Sequence, residues 1–165
     1  FHCSTVNVTQ AMAEKTGYNE YYHYIFDAAF SFEHQWTDDF DMCWGHVCHG
    51  GDLAYIFRSA SLGGEEYTEE ESVLIDHMSA YISNFLHTGN PNTPGTEALK
   101  QKHAGLPGRR PHWPRMTEKP NNYYSMYYAN CGGNTVVTNY RRQYCDLFDT
   151  FGYYKVPRLN SIEAN

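Results

Sequence analysis

Residues 69–86 most constrain the fold of this chain, because they predict a long helix with one apolar face. Thr68 and Glu71 have the spacing of a capping box, in which the threonine hydroxyl accepts from the third helical amide and the glutamate reaches back to the cap amide. Gly89 and Pro91 predict where the helix ends. We expect this helix to be structural, with no catalytic role. Its apolar stripe at helical spacing consists of Leu74, Met78, Tyr81, Ile82 and Phe85.

Weaker patterns predict the remaining elements, and together they indicate a short α/β order. The segment 90–120 is rich in proline and glycine and carries a basic cluster, so we expect a solvated loop there. The last predicted helix places Tyr140, Tyr144, Leu147, Phe148 and Phe151 on one side. The other predictions are a helix over residues 6–15 that Gly17 ends, strands over 21–26 and 123–128, a turn at 132–133, and a helix over 139–151.

Composition narrows the class of protein. The chain has 165 residues, of which 41% are hydrophobic and 16% aromatic, enough for a core and inconsistent with a disordered protein. A net charge of −7 argues against nucleic-acid binding. No apolar run reaches the roughly 18 residues of a membrane span, and the first residues show no basic stretch followed by an apolar one, so we expect neither a membrane span nor a retained signal peptide. Because Phe1 stands first and Cys3 follows closely, we expect a processed piece of a longer chain.

Five cysteines indicate an oxidising compartment, secreted or lumenal, and their odd number leaves one unpaired. The composition alone does not give the connectivity. Asn7-Val8-Thr9 has the pattern of an N-glycosylation site, which favours the same compartment. The cysteines are Cys3, Cys43, Cys48, Cys131 and Cys145.

Residues 31–51 have no clean period and crowd tryptophan, aspartate, cysteine and histidine among glycines, as in a functional loop. Two readings of the loop stay open. Cys43 and Cys48 can join His46 and His49 at a zinc ion, or the two cysteines can form a disulfide. The disulfide is favoured because no second ligand pair follows and the compartment oxidises thiols. We therefore expect no metal.

His49 is the strongest candidate for chemistry. A disulfide before it fixes the backbone, and Gly50 and Gly51 after it allow close approach of a substrate or chain segment. The apolar run 53–57 then seats the loop in a core. A general base must be held within reach of its partner, and this arrangement holds one. Elsewhere the sequence has no phosphate-binding glycine loop and no G-x-S-x-G nucleophile elbow, since residues 59–63 lack the first glycine.

At these residues the sequence resembles the C-terminal portion of the carboxylesterase and cholinesterase family of α/β-hydrolases. Several motifs carry the resemblance in the family's order and cover most of the chain. They are a YxYxF strand at Tyr22, Tyr24 and Phe26, a histidine loop at 44–53, a helix with a T-x-E-E start at 68–71 and a TGxPN end at 88–92, Trp113-Pro114, and a cysteine-bearing last helix at 144–149.

The resemblance implies a role for each matched residue. His49 takes the place of the triad histidine, which accepts the serine proton and returns it to the departing alcohol. Asp52 stands where the family usually has glutamate and, with Gly50, supports the histidine. Trp44 and His46 lie near the substrate pocket, or else serve packing. The implied disulfides are Cys3–Cys145 and Cys43–Cys48, which leaves Cys131 over.

The family's nucleophilic serine, its acidic partner and its oxyanion loop lie upstream and have no counterpart here. The resemblance therefore implies that residues 1–165 are the last part of one α/β-hydrolase domain, with the upstream part of the same protein and a small ester as partners, and no cofactor. The implied function is carboxylic ester hydrolysis through an acyl-enzyme. The alternatives are a catalytically silent structural, storage or adhesion protein of the extracellular space, and a small independent binding domain.

Overall fold

A computed structural model describes residues 1–18, 20–32, 42–116, 125–131 and 133–152. The chain divides into two compact units. One comprises Phe1–Tyr18 and the chain from Asn139, and the other comprises Asn19–Thr138. In chain order the elements are α1 (His2–Thr16), β1 (Tyr24–Phe26), α2 (Asp52–Ile56), a 3-10 turn (Ala60–Gly63), α3 (Glu69–Thr88), α4 (Glu97–Ala104), β2 (Ser125–Ala129), β3 (Thr135–Thr138) and α5 (Arg142–Phe151).

The first unit pairs helices from the two ends of the chain. α1 confirms the helix predicted over 6–15 but begins earlier, and Gly17 ends it with a φ of 68°. The Cys3–Cys145 disulfide links α1 to α5 across a sequence separation of 142 residues. This is the first of the two pairings that the resemblance implies.

The last helix is shorter than predicted, and its apolar face is exposed. It begins at Arg142 rather than Asn139, because Asn139 and Arg141 have positive φ angles of 55° and 52° that a helix cannot include. Cys145 is buried in α5. Of the five side chains that the pattern places on one side, Tyr140 precedes the helix and is half-buried, and the other four are more than half exposed, namely Tyr144, Leu147, Phe148 and Phe151.

In the second unit, α3 confirms the strongest prediction. The Thr68 hydroxyl accepts from the Glu71 amide at 3.2 Å, and the Thr68 amide donates to the Glu71 carboxylate at 2.8 Å, so both bonds of the capping box form. Gly89, with a φ of 74°, ends the helix. Leu74, Met78 and Tyr81 are buried as expected, whereas Phe85, at the far end of the stripe, is largely exposed.

The second unit also contains a three-stranded sheet in the order β1–β2–β3. β1 runs parallel to β2 with Tyr24 opposite Tyr127, and β2 runs antiparallel to β3. β1 is half the length predicted for 21–26. The strand predicted over 123–128 is present as Ser125–Ala129, although residues 123, 124 and 132, with part of the predicted turn, lie outside the described residues.

Three elements were not predicted from the sequence. α4 lies within 90–120, where a loop was predicted; Thr96 caps it by accepting from the Leu99 amide at 3.1 Å, and no residue of the helix is buried. An exposed helix has no apolar stripe to reveal it. β3 occupies a short run between the predicted turn at 132–133 and the last helix, and α2 is a five-residue helix that directly follows the functional loop.

Aromatic side chains form much of the core of this unit. Trp113 stacks on Tyr127 with 5.1 Å between ring centroids, and Tyr81 from α3 meets both rings edge-on. The Trp113 indole nitrogen donates to the carbonyl of His23, beside β1. The core therefore joins α3 to the sheet at the point where β1 leads towards the histidine loop.

Candidate active site

Three contacts hold the first part of the loop that carries His49. Cys43 and Cys48 form a disulfide with 5.6 Å between their Cα atoms, the second pairing that the resemblance implies. The Gly45 amide donates to the carbonyl of Phe30 at 3.3 Å, and the Trp44 indole donates to the carbonyl of Ser31 at 3.2 Å. Cys43 is also buried in the core, so its burial, the disulfide and the two hydrogen bonds together hold this part of the loop in place.

The two glycines after His49 are required by the geometry of the loop. Gly50 has a φ of 80°, which L side chains rarely adopt. The Gly51 amide donates to the carbonyl of Cys48 at 3.1 Å, and a Cβ on Gly51 would lie 2.7 Å from a ring carbon of Phe30. The chain therefore turns sharply around His49, whose side chain is exposed to solvent.

Asp52, the first residue of α2, lies three positions after His49 and contacts β1. Its carboxylate accepts a hydrogen bond of 2.5 Å from the Tyr24 hydroxyl. Burial, the hydrogen bond and the charge of Asp52 together raise the pKa of Tyr24, so that the hydroxyl remains a donor. This hydrogen bond links the start of α2 to β1, and α2 begins directly after the turn that contains His49.

Trp44 and His46 both lie on the surface of the loop. The Trp44 side chain is 54% exposed, and its indole donates a hydrogen bond to the carbonyl of Ser31. The His46 amide donates to the carbonyl of Cys43 at 3.0 Å, inside the disulfide ring. An apolar cavity of about 170 Å³ in this unit has other walls, namely Tyr22, Tyr24, Ile82, Phe85, Pro91 and Trp113.

Glu71 is the residue at this site that the sequence reasoning missed. Its side chain is only 2% exposed, and its two carboxylate oxygens accept four hydrogen bonds from three segments. Burial alone would raise the pKa of Glu71, but the hydrogen bonds from Ser31, Thr68 and Tyr55 outweigh it and leave the pKa below its usual value. The capping-box spacing revealed only the contact with Thr68, because the other partners are distant in sequence.

Cys131, left over by the implied pairings, is a free cysteine two residues after the end of β2. Burial, followed by the nearby charge of Glu71, raises the pKa of its thiol to about 11. A thiol with so high a pKa carries little thiolate at neutral pH and is a poor nucleophile.

The zinc reading of the loop does not fit the structure. The disulfide occupies both sulfurs of Cys43 and Cys48. Within the ranges that the structure describes, no group of three or more histidine, cysteine, aspartate or glutamate residues is arranged to hold a metal ion.

No helix in the described ranges combines the length and apolar character that crossing a membrane requires.

Comparison with known proteins identifies the family. The model of the carboxylesterase family matches residues 1–148. This chain belongs to that family. It is 30% identical to acetylcholinesterase of Danio rerio over 158 residues, which cover 91% of this chain and 21% of that protein. Membership of the carboxylesterase family implies an α/β-hydrolase fold, with which the mixed sheet and packed helices are consistent.

Two proteins of Dictyostelium discoideum are also similar to this family member. The crystal protein is 29% identical over 133 residues, covering 80% of this chain and 21% of that protein. The cAMP-regulated D2 protein is 39% identical over 72 residues, covering 44% of this chain and 13% of that protein. The chain thus spans about a fifth, or less, of the length of the curated relatives it matches.

Proposed function

We propose that this chain supplies the triad histidine of a serine carboxylic ester hydrolase. His49 takes the proton of the serine hydroxyl as it attacks the ester carbonyl, and then gives the proton to the departing alcohol. The observation that carries the proposal is the way His49 is held. Its imidazole is solvent-exposed on a backbone fixed by the Cys43–Cys48 disulfide on one side and by α2 on the other.

The neighbouring residues have supporting roles in this proposal. Gly50 and Asp52 orient the loop, Asp52 through its bond with Tyr24. Trp44 and His46 lie near the pocket that binds the ester. The serine, its acidic partner and the oxyanion donors come from an upstream part of the same protein, so residues 1–165 form the C-terminal part of one α/β-hydrolase domain. No cofactor takes part in the reaction.

We further propose that the protein is secreted or lumenal and glycosylated at Asn7. The two disulfides favour an oxidising compartment, where such bonds persist. The Asn7 side-chain nitrogen, which would carry the glycan, lies 3.4 Å from a carboxylate oxygen of Asp149. A glycosylated asparagine keeps one N–H, so the sugar and this hydrogen bond are compatible.

Turnover of short-chain nitrophenyl esters by the full-length protein tests the esterase function. We expect His49→Gln to lower kcat by roughly 10⁴-fold or more, as loss of a triad histidine does elsewhere. His87→Gln is the matched control, because His87 is an exposed histidine at the end of α3. No turnover by the wild type would contradict the proposal and favour a silent structural, storage or adhesion protein.

A further inference from the structure

We infer that Glu71 is the positioning residue for His49, because its buried carboxylate holds both ends of the loop that carries the histidine. The inference rests on the proposed function. It assigns to Glu71 a task beyond capping α3, which needs only the contact with Thr68. The remaining three hydrogen bonds of the carboxylate go to Ser31 and Tyr55, which flank the loop in space.

The first tether runs through Ser31 to the segment before His49. The amide and the hydroxyl of Ser31 donate to the two oxygens of Glu71 at 2.8 and 2.7 Å. On its other side Ser31 accepts from the Trp44 indole, and the preceding carbonyl of Phe30 accepts from the Gly45 amide. The carboxylate therefore fixes the backbone of Phe30 and Ser31, whose carbonyls accept the hydrogen bonds from residues 44 and 45.

The second tether runs through Tyr55 to the segment after His49. The Tyr55 hydroxyl donates to Glu71 at 2.8 Å, and its fully buried ring meets Phe26 of β1 edge-on at 5.0 Å. Tyr55 belongs to α2, a helix of only five residues that starts at Asp52. A helix this short has little stability of its own, so its direction depends on such tertiary contacts.

Only a carboxylate satisfies this set of partners. Both amides, of Ser31 and of Thr68, can only donate, and they approach different oxygens of Glu71. A glutamine would turn an NH₂ group towards one of them and break that contact. A misplacement of about 1 Å can cost as much as 100-fold in rate, so loosening either tether is expected to reach the chemistry.

The test compares Glu71→Gln with Thr68→Ala in the full-length protein. Thr68→Ala removes the other bond of the capping box and weakens the start of α3, but it leaves the Ser31 and Tyr55 contacts in place. We expect Glu71→Gln to lower kcat for a nitrophenyl ester about tenfold, with KM changed less than about twofold. Thr68→Ala is expected to keep the wild-type kcat.

Hydrogen–deuterium exchange of residues 42–51 gives a second readout that needs no activity. Glu71→Gln is expected to speed exchange in this loop, and Thr68→Ala is not. Equal kcat or equal loop exchange in the two variants would overturn the inference. If Glu71→Gln does not fold, Ser31→Ala and Tyr55→Phe replace it, and wild-type loop exchange in both would overturn it. Absence of turnover in the wild type contradicts the proposed function, while the exchange comparison still decides the tethers.

Discussion

His77 shows at the scale of a single residue how burial selects a protonation state. It is buried in α3; its Nε2 lies 2.9 Å from the carbonyl oxygen of Pro107, and its Nδ1 accepts from the Asn134 amide group at 2.9 Å. The orientation of Asn134 is set because its oxygen accepts from the Asn130 amide. The ring therefore donates at one nitrogen and accepts at the other, which only the neutral form does.

This arrangement predicts that the protein loses stability in mild acid. Burial, offset in part by the bond to Pro107 and aided by the charge of Arg110, lowers the pKa of His77 below its ordinary 6.5. The unfolded chain then binds more protons than the folded chain as the pH falls below about 6.5, so the free energy of unfolding drops there. Thermal melts between pH 7.5 and 5 measure this.

The matched variant for the acid prediction is His77→Gln. It is expected to remove only part of the pH dependence of stability, because burial also lowers the pKa values of His2 and His103. An unchanged slope of melting temperature against pH in His77→Gln would contradict the assignment.

Gly51 is packed too closely against its neighbours to accept a larger side chain without a shift. A methyl group there would lie 2.7 Å from the Phe30 ring and 3.1 Å from the Cys48 carbonyl oxygen. We expect Gly51→Ala to cost about 1–3 kcal/mol through overpacking and to shift the turn that carries His49. Gly63→Ala is the control, because its methyl would meet no atom within 4 Å. Chemical denaturation measures both, and equal midpoints would refute the prediction.

Helices and strands could be predicted from the sequence where the contacts that stabilise them are formed by residues close together in sequence. α3 was predictable because its apolar stripe lies within the helix and its cap and terminal glycine directly flank it. α4 and β3 were missed because the helix buries no residue and the strand is only four residues long. The tethers of Glu71 were equally invisible, since Ser31 lies 40 residues away in sequence. The turn around His49, by contrast, was predictable because its disulfide and its two glycines are adjacent in sequence.

Asn92, in the turn after α3, bonds the backbone of Trp113. Asn92 donates to the carbonyl of Trp113 and accepts from its amide, both at 2.8 Å, so the end of the helix is fastened to the segment that carries the core indole. Asn92→Ala removes both bonds and is expected to cost about 1–3 kcal/mol. Asn92→Asp keeps the acceptor, so its unfolding free energy should lie between wild type and alanine; the reverse order would count against the pairing.

At the scale of the whole molecule, the two disulfides are expected to rank in opposite orders for stability and for activity. Cys3–Cys145 closes a loop of 142 residues and Cys43–Cys48 a loop of 5. The chain-entropy model assigns about 5 kcal/mol to the first and about 2 kcal/mol to the second. The short bridge adjoins His49, however, so its loss bears directly on the proposed chemistry.

Serine-for-cysteine pairs in the full-length protein test this ranking. Cys3→Ser with Cys145→Ser is expected to lower the melting temperature more, and Cys43→Ser with Cys48→Ser to lower kcat more. A larger kcat loss from the long bridge would show that the Cys43–Cys48 disulfide does not hold the active loop.

The rate at which an organophosphate labels the full-length protein measures whether His49 activates a serine. Intact-mass spectrometry follows one covalent adduct per chain, and peptide mapping locates it. We expect stoichiometric labelling of one serine in the wild type and in His87→Gln, and labelling slowed by orders of magnitude in His49→Gln. Equal labelling rates in all three proteins, or no adduct in the wild type, would contradict it.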